Sequence, residues 1–359
     1  MSHSIAIVGA GVLGRLLALA FHRKGWIVSL YDRGDRSGSA SCSWSAAGMI
    51  APYIGMKDAE QTATVLGEYA IEQWPVWLES LIAPVFHGEN GCLAVAHPRD
   101  ARELEVLFQR IADLSQHDDL MTECTAPDIA ELEPELAGRF HRGLFFPFEQ
   151  HIDNRHLLRV LGDTIEAAAI NWFYRTEVTR LEPRQVTSLR GTETYDWVID
   201  ARGLGATADI GGLRGVRGEL LHLHAPDVRL TRPIRLMHPR HAIYIVPRAD
   251  QRYVIGATLE DTDSRAPISA RSVMELLSAA CTVHPGFGEA RLLETVVDVR
   301  PTLPNNLPRI TPQQGLISIN GLSRCGLLVS PALVDIAVTF IDTGEVHPMA
   351  DGVMEEWTL

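Results

Sequence analysis

The chain has 359 residues, which is enough for a large buried core and, from the usual scaling of domain size, predicts two domains. Its 32 Lys and Arg against 45 Asp and Glu give a formal charge of −13, which repels phosphate backbones and anionic lipids. We therefore expect no nucleic acid as a partner, although this average is compatible with a local basic pocket for a small carboxylate.

Targeting and metal-binding signals are not found in the sequence. The five cysteines form no CxxC pair and no Cys/His spacing of a metal site, so we expect no metal and a reduced, cytoplasmic chain. The first four residues lack the basic segment of a signal peptide. The apolar run over residues 326–341 contains Pro331 and Asp335 and is shorter than a bilayer span, so we expect no membrane segment.

A strand, a glycine-rich turn and a helix are predicted at the start of the chain. Residues 5–8 form a continuous apolar run, typical of a strand buried on both faces of a parallel sheet. The turn Gly9-Ala10-Gly11-Val12-Leu13-Gly14 follows directly, and apolar residues at helical spacing predict a helix that Gly25 ends in a left-handed cap. Residues 26–32 are predicted to form the second strand, which ends in Asp32.

Each part of this unit has a physical role in holding a dinucleotide. Gly9 permits the tight turn, Gly11 lets a pyrophosphate approach the backbone, and Gly14 lets helix and strand pack closely. The helix N-terminus stabilises the phosphate charge, and Asp32 accepts hydrogen bonds from the ribose. The order of these parts predicts an ADP-containing cofactor but does not separate FAD from NAD.

Residues 37–49 favour FAD. They are nearly all small, where an NAD-binding domain would continue in regular α/β alternation. Small residues let backbone approach a flat ring system, above all in Ser45-Ala46-Ala47-Gly48-Met49. Composition alone leaves a flexible surface loop open as the alternative.

At these residues the chain resembles the D-amino-acid oxidase superfamily of FAD enzymes, and within it the glycine oxidase and sarcosine oxidase-like group. The Ser45 to Met49 pattern resembles the flavin-contacting segment of that group, and the resemblance covers nearly the whole chain. Four further segments carry it. Residues 153–158 resemble the segment that leads into a helix of the FAD domain, and residues 195–203 resemble a strand and turn over the cofactor. Residues 216–219 resemble the entry to the substrate domain, and residues 321–326 resemble the turn beneath the flavin.

The resemblance implies noncovalent FAD. The implied cofactor-binding residues are Gly9, Gly11, Val12, Leu13, Gly14, Asp32, Arg33, Ser45, Ala46, Ala47, Gly48, Met49, Val178, Ala201, Gly203, Gly321, Arg324, Cys325, Gly326 and Leu327. Related sarcosine oxidases attach flavin through cysteine, but Cys325 does not match that attachment segment. The helix that follows this last turn is predicted from Pro331 to about Ile341.

Three residues are the candidate catalytic residues. In the family, the tyrosine at the place of Tyr244 points its hydroxyl at the substrate carboxylate, and the Arg-Pro matched by Arg300-Pro301 supplies the carboxylate-binding arginine. A guanidinium grips a planar carboxylate bidentately, and a phenol adds a neutral donor. Without the resemblance, Arg300 also reads as an ion-paired surface residue and Tyr244 as a strand residue with its hydroxyl in water. Arg324 contacts flavin or substrate, or braces the turn.

The implied fold is α/β, with a Rossmann-type FAD-binding domain and an interleaved α+β substrate domain built on an antiparallel sheet. The FAD domain is expected from residues 1–80, 155–215 and 300–359, and the substrate domain from 81–154 and 216–299. A predicted hairpin of the substrate domain has its first strand over residues 242–248 and its second over 252–258. The active site should lie between the domains.

The implied reaction is oxidative deamination of glycine, sarcosine or a small D-amino acid, in which a hydride passes to flavin, water hydrolyses the imine, and oxygen is reduced to peroxide. The implied pathway is the supply of a thiamine precursor. A dehydrogenase with another electron acceptor and a flavin-binding partner protein without turnover are the alternatives. A homo-oligomer is also left open.

Three places depart from the group's pattern. Residues 296–298, Val-Val-Asp, replace its Trp-Ala-Gly, residues 322–325 lack its polar and bulky residues, and Thr311 replaces a glycine. Ser323 in place of an aromatic residue would enlarge the pocket. Asp298 pairs with a basic group on the substrate if it faces inward, and lies in solvent if the strand register places it outward.

Overall fold

The computed structural model describes residues 3–55, 61–114 and 120–356. The α-helices are α1 (Val12–Arg23), α2 (Gln61–Glu79), α3 (Ala101–Leu114), α4 (Ala126–Leu132), α5 (Asn154–Ala167), α6 (Ala270–Val283) and α7 (Gly326–Thr343). The strands are β1 (Ser4–Val8), β2 (Ile27–Tyr31), β3 (Met49–Ile50), β4 (His87–Gly88), β5 (Cys92–Val95), β6 (Thr122–Thr125), β7 (Arg142–Phe146), β8 (Gln150–Ile152), β9 (Asn171–Phe173), β10 (Val178–Glu182), β11 (Gln185–Ser188), β12 (Gly191–Thr194), β13 (Trp197–Asp200), β14 (Arg214–His224), β15 (Ile234–Leu236), β16 (Ile243–Pro247), β17 (Arg252–Gly256), β18 (Arg291–Thr302), β19 (Arg309–Gln313) and β20 (Leu316–Asn320).

A six-stranded sheet contains the N-terminal unit. Its strand order is β19-β20-β13-β1-β2-β9, and all neighbours are parallel except β19 and β20. Strand β1 is central, and its apolar side chains are buried on both faces. Ile5 and Ile7 belong to the buried cluster that also contains apolar residues of α1, α5 and α7, while Ala6 and Val8 cluster with apolar residues of the small sheet β10-β11-β12. This two-sided burial is why the strand reads as a continuous apolar run.

Helix α7 begins earlier than predicted. It starts at Gly326 rather than Pro331, because burial against α1 and α2 stabilises a helix that contains the proline in its second turn. Among the described helices α7 is the one long and apolar enough to cross a membrane, and 72% of its 18 residues is buried inside the protein. That burial is typical of a core helix.

An eight-stranded sheet forms the other large layer. Its order is β18-β14-β17-β16-β15-β5-β7-β6, antiparallel throughout except for the parallel pair β15 and β5. The predicted hairpin is confirmed as β16 and β17, with Asp250 and Gln251 in left-handed conformations in its turn. Ile243 and Ile245 of β16 pack with α6, so the residue between them points to the opposite face.

The two large sheets take their strands from separated parts of the chain. The six-stranded sheet uses residues 4–31, 171–200 and 309–320, and the eight-stranded sheet uses residues 92–146 and 214–302. This interleaving supports the proposed division into two domains, with a boundary inside β18 near Arg300.

Candidate active site

A cleft runs from the glycine turn after β1 to the face of the eight-stranded sheet that carries Tyr244. The predicted residues that line it are Gly9, Gly11, Val12, Leu13, Gly14, Asp32, Arg33, Ser45, Ala46, Ala47, Gly48, Met49, Ala201, Gly203, Tyr244, Arg300, Arg324, Cys325, Gly326 and Leu327. Val178 and Gly321 do not line it. Val178 packs beneath β1 with Val8 and Tyr31, and Gly321 is buried with its φ at +76°.

The three glycines of the turn have different neighbours. Gly9 has a φ of +109°, and a Cβ there would lie 2.3 Å from the Ala201 carbonyl oxygen. A Cβ on Gly14 would lie 1.8 Å from the Gly9 carbonyl oxygen. A Cβ on Gly11 would meet first the Ser43 hydroxyl, at 3.2 Å. Packing of the turn therefore requires glycine at positions 9 and 14, while Gly11 keeps the floor of the cleft flat.

The acid at the end of β2 is held in place by the turn itself. The Asp32 carboxylate accepts the Ala10 N–H at 2.6 Å with one oxygen and the Gly34 N–H at 2.6 Å with the other. The Ser43 hydroxyl, for which no sequence motif predicts a role, accepts the Val12 N–H at 3.0 Å. The first helical turn and Asp32 thus form a fixed, polar wall at this end of the cleft.

Residues 45–49 are anchored rather than forming a flexible loop. The Asn154 amide donates to the Ser43 carbonyl at 2.8 Å, and Arg248 donates to the Ala47 carbonyl at 2.5 Å and to the Asn154 side chain at 3.2 Å. Gly48 has a φ of +76°, and a Cβ there would lie 2.0 Å from the Ile152 carbonyl oxygen. Sequence reasoning missed Arg248 and Asn154 because their partners are backbone carbonyls distant in sequence.

Arg300 and Tyr244 lie together at the other end of the cleft. A Cβ on Gly218 would lie 2.2 Å from Arg300 Nη2, so the guanidinium occupies the space above that glycine. Arg300 faces the Tyr244 hydroxyl, and burial raises the pKa of Tyr244 while the charge of Arg300 opposes that rise. Tyr244 is therefore a neutral hydrogen-bond donor next to a cation.

Strand register explains why these side chains share one face. Tyr244 pairs across the sheet with Gly256, Gly256 with Leu220, and Leu220 with Val296. Cross-strand partners point to the same face, as do residues two apart on a strand. Arg300, four residues after Val296 in β18, therefore emerges on the face that carries Tyr244.

Asp298 faces inward, which is one of the two orientations that the sequence allows. It lines the cleft, its side chain is 14% exposed, and it pairs with Arg265 at 2.8 Å. Cys42 lies nearby and donates to the Val299 carbonyl at 3.0 Å. Because Arg265 already neutralises Asp298, this carboxylate is not an open partner for a basic group on a substrate.

The turn before α7 closes the cleft. Ser323 has a φ of +44°, its N–H donates to the Pro301 carbonyl at 2.8 Å, and its hydroxyl lies 3.1 Å from that of Thr302. The turn is thus tied to the end of β18. Arg324 extends into the cleft, and the N-terminus of α7 at Gly326 adds its positive dipole end to the lining.

Among the described residues, no group of three or more His, Cys, Asp and Glu side chains is placed to hold a metal ion. The glycine-rich turn, the anchored Asp32 and the small residues 45–49 form a cradle for a flat, elongated cofactor with a pyrophosphate.

Comparison with known proteins decides the family. The sequence model of the protein family DAO, described as FAD dependent oxidoreductase, matches residues 4–338. The chain belongs to this family of FAD-dependent oxidoreductases. The flavoenzyme is 40% identical over 331 residues to a Rhizobium etli protein provisionally named thiamine biosynthesis oxidoreductase ThiO, over 92% of this chain and 93% of that protein. It is 24% identical over 350 residues to the glycine oxidase of Geobacillus kaustophilus, over 92% and 90% of the two chains.

A solved structure of glycine oxidase from Bacillus cereus has the same fold, with a TM-score of 0.85 at 21% identity over 100% of both chains. The predictions of the superfamily, the α/β fold class, FAD and an oxidoreductase activity are therefore confirmed. The flavoenzyme is an oxidoreductase of the glycine oxidase and ThiO group. FAD fits the cradle, with its ADP part expected at Asp32 and its ring system at residues 45–49.

Proposed function

We propose that the flavoenzyme oxidises the C–N bond of a small amino acid whose carboxylate is bound by Arg300 and Tyr244. The observation that carries the proposal is the position of the Arg300 guanidinium above Gly218, beside the Tyr244 hydroxyl, in the cleft that contains the glycine turn. Arg300 donates to the Arg217 carbonyl at 3.4 Å and pairs with no carboxylate among the described residues. A substrate carboxylate would supply the negative charge that balances this guanidinium.

The side chains of the site orient the substrate rather than transfer its protons. Arg300 and Tyr244 fix the carboxylate, which directs the adjacent C–H bond toward residues 45–49, where the flavin ring is expected. When bound there, FAD would supply a hydride acceptor for the hydrogen and both electrons of that C–H bond. The amine lone pair supports hydride loss, an amine proton leaves to solvent, and water hydrolyses the imine to an oxo acid and ammonia or an amine. No side-chain base is needed for these reaction steps.

Glycine, sarcosine and small D-amino acids are the substrates we propose, with oxygen as the electron acceptor and hydrogen peroxide as the second product. The likeness to the Rhizobium etli protein supports a role in supplying a thiamine precursor. We place the enzyme in the cytoplasm, as a monomer or homo-oligomer. Arg324, which extends into the cleft, is proposed to contact substrate or flavin.

The test is anaerobic mixing of the FAD-loaded protein with a panel of amino acids, followed by admission of air. We expect bleaching of the flavin absorbance by at least one small amino acid, and one peroxide per substrate on reoxidation. Bleaching that persists in air, with no peroxide formed, identifies a dehydrogenase with another acceptor. Bleaching by no amino acid contradicts the proposal and leaves a flavin-binding protein without turnover.

A further inference from the structure

Arg235 is a second arginine on the substrate face of the cleft, and the proposed reaction does not use it. It lies in β15 opposite Tyr244 in β16, and its guanidinium carbon is 6.0 Å from the centre of the Tyr244 ring. Its Nε atom is buried and has no hydrogen-bond partner in the part of the chain that the structure describes. A buried guanidinium is costly unless a bound anion completes it.

The surroundings of Arg235 increase the need for an anion. Burial lowers its pKa, the nearby Tyr244 hydroxyl partly opposes this effect, and the positive charge of Arg324 adds to it. The position is therefore electropositive and poorly hydrated. Both properties strengthen the attraction of a carboxylate.

Acidic side chains of the cleft do not neutralise the end that contains Arg235 and Arg300. Among the described lining residues the acids are Asp32 and Asp298. Asp32 is fixed by backbone N–H groups at the glycine turn, and Asp298 pairs with Arg265. Once a substrate carboxylate occupies Arg300, the charge of Arg235 remains unbalanced.

We propose that Arg235 binds a second carboxylate of the substrate, so that among small amino acids one with two carboxylates is preferred over one with a single carboxylate. This inference rests on the proposed function, in which Arg300 and Tyr244 hold the first carboxylate. Arg300 approaches Tyr244 from the β18 side of the sheet and Arg235 from the β15 side, so the two guanidinium groups flank the tyrosine. A substrate with carboxylates at both ends bridges them, with its amine and reacting C–H bond between.

The binding test uses two unreactive acids, propionate and succinate, which differ by one carboxylate. Titration of the FAD-loaded protein, followed by flavin absorbance, should show succinate binding at least about tenfold more tightly. In Arg235→Gln the preference should disappear while the propionate Kd changes less than about twofold, and Arg235→Lys should keep part of it. The control is Arg252→Gln, which removes an exposed charge from β17 and should keep the full preference.

The turnover test uses pairs of amines that differ in the same way, sarcosine with N-carboxymethylglycine and D-alanine with D-aspartate. We expect kcat/KM to be higher for the dicarboxylate of at least one pair, and to fall by about 30-fold or more in Arg235→Gln for that substrate alone. The responding pair shows whether the second carboxylate is attached through nitrogen or through carbon.

The outcomes separate this inference from the proposed function. Selective succinate binding that depends on Arg235, without flavin reduction by any amine, supports the second anion subsite and contradicts the proposed function. Equal binding of propionate and succinate, or a loss of both in Arg235→Gln with FAD still bound, overturns the second subsite while leaving amino-acid oxidation in place. Retention of succinate selectivity in Arg235→Gln overturns it as well.

Discussion

The Arg300 guanidinium occupies the volume that a side chain at Gly218 would fill, since a Cβ there would lie 2.2 to 2.3 Å from its two terminal nitrogens and its central carbon. Gly218 and Arg300 lie on the neighbouring strands β14 and β18, with Gly218 paired to Asp298. The absence of a side chain at one position therefore sets where the cation of the other lies.

Gly218→Ala is expected to move Arg300 away from Tyr244. We predict that KM for an amino-acid substrate rises by about tenfold or more, because a misplaced guanidinium loses its bidentate grip, while FAD binding changes little. Steady-state kinetics and flavin absorbance measure the two effects. Gly211→Ala is the matched control, since a Cβ at Gly211 meets nothing within 4 Å. An unchanged KM in Gly218→Ala argues that Arg300 does not contact substrate.

Arg300→Ala tests the carboxylate site directly. Loss of a desolvated charge pair costs about 3–5 kcal/mol, so the apparent KM should rise by orders of magnitude. Anaerobic titration of flavin reduction measures the effect on substrate binding separately from turnover. Arg300→Lys keeps the charge without the planar fork and should recover part of the loss. Wild-type KM in Arg300→Ala removes the residue from this role.

Gly11→Ala and Gly14→Ala should have different consequences. The Cβ of Gly14→Ala would lie 1.8 Å from the Gly9 carbonyl oxygen, so we predict a loss of about 1–3 kcal/mol of unfolding free energy or more. The Cβ of Gly11→Ala would lie 3.2 Å from the Ser43 hydroxyl, so the fold should survive while the FAD Kd rises by about tenfold or more.

Denaturant unfolding of the apoproteins and FAD titration measure the stability and binding effects of these glycine variants. Gly288→Ala, in open space, is the control for both. Normal FAD binding in Gly11→Ala contradicts the pyrophosphate role of that glycine.

Glu149 should make stability depend on pH. It is fully buried, one oxygen accepts the Tyr53 and Ile54 N–H groups at 2.9 and 2.7 Å, and burial raises its pKa from 4.5 to about 7. The folded-state pKa of Glu149 lies above its unfolded value. The protein is therefore most stable with respect to this group below about pH 4.5, and that contribution to the unfolding free energy is lost as the pH rises through about 7. The loss is on the order of 3 kcal/mol.

Unfolding free energies at pH 5 and pH 8, with FAD at a fixed saturating concentration, measure the effect of Glu149. Glu149→Gln keeps an acceptor for both N–H groups but does not titrate, so its stability should fall less between these pH values than that of the native protein. Parallel pH profiles of the two proteins contradict this assignment.

FAD should be released when the protein is precipitated with trichloroacetic acid, leaving the yellow colour in the supernatant. Two cysteines, Cys42 and Cys325, line the cleft. Burial raises the pKa of Cys42 to about 12, so its thiolate, the nucleophilic form, is scarce at neutral pH. Colour retained in the pellet contradicts noncovalent binding, and repeating the experiment with Cys42→Ser and Cys325→Ser identifies the attachment site.

The sequence by itself determined the N-terminal unit, because its parts act locally. The β1 strand, the left-handed Gly9, the cap at Gly25 and the acid at Asp32 follow from apolar runs and backbone requirements within about 30 residues. The β16 and β17 hairpin is determined in the same way. The family resemblance then identified FAD and singled out Tyr244 and Arg300.

Only the tertiary structure decided which side chains share the cleft, because that depends on register between strands far apart in sequence. Asp298 turned inward onto Arg265, and helix α7 began at Gly326 because packing against α1 and α2 outweighed the proline. No sequence motif predicted a role for Arg235. Its importance comes from its burial beside Tyr244 with an Nε atom that has no hydrogen-bond partner among the described residues, a property of the folded sheet.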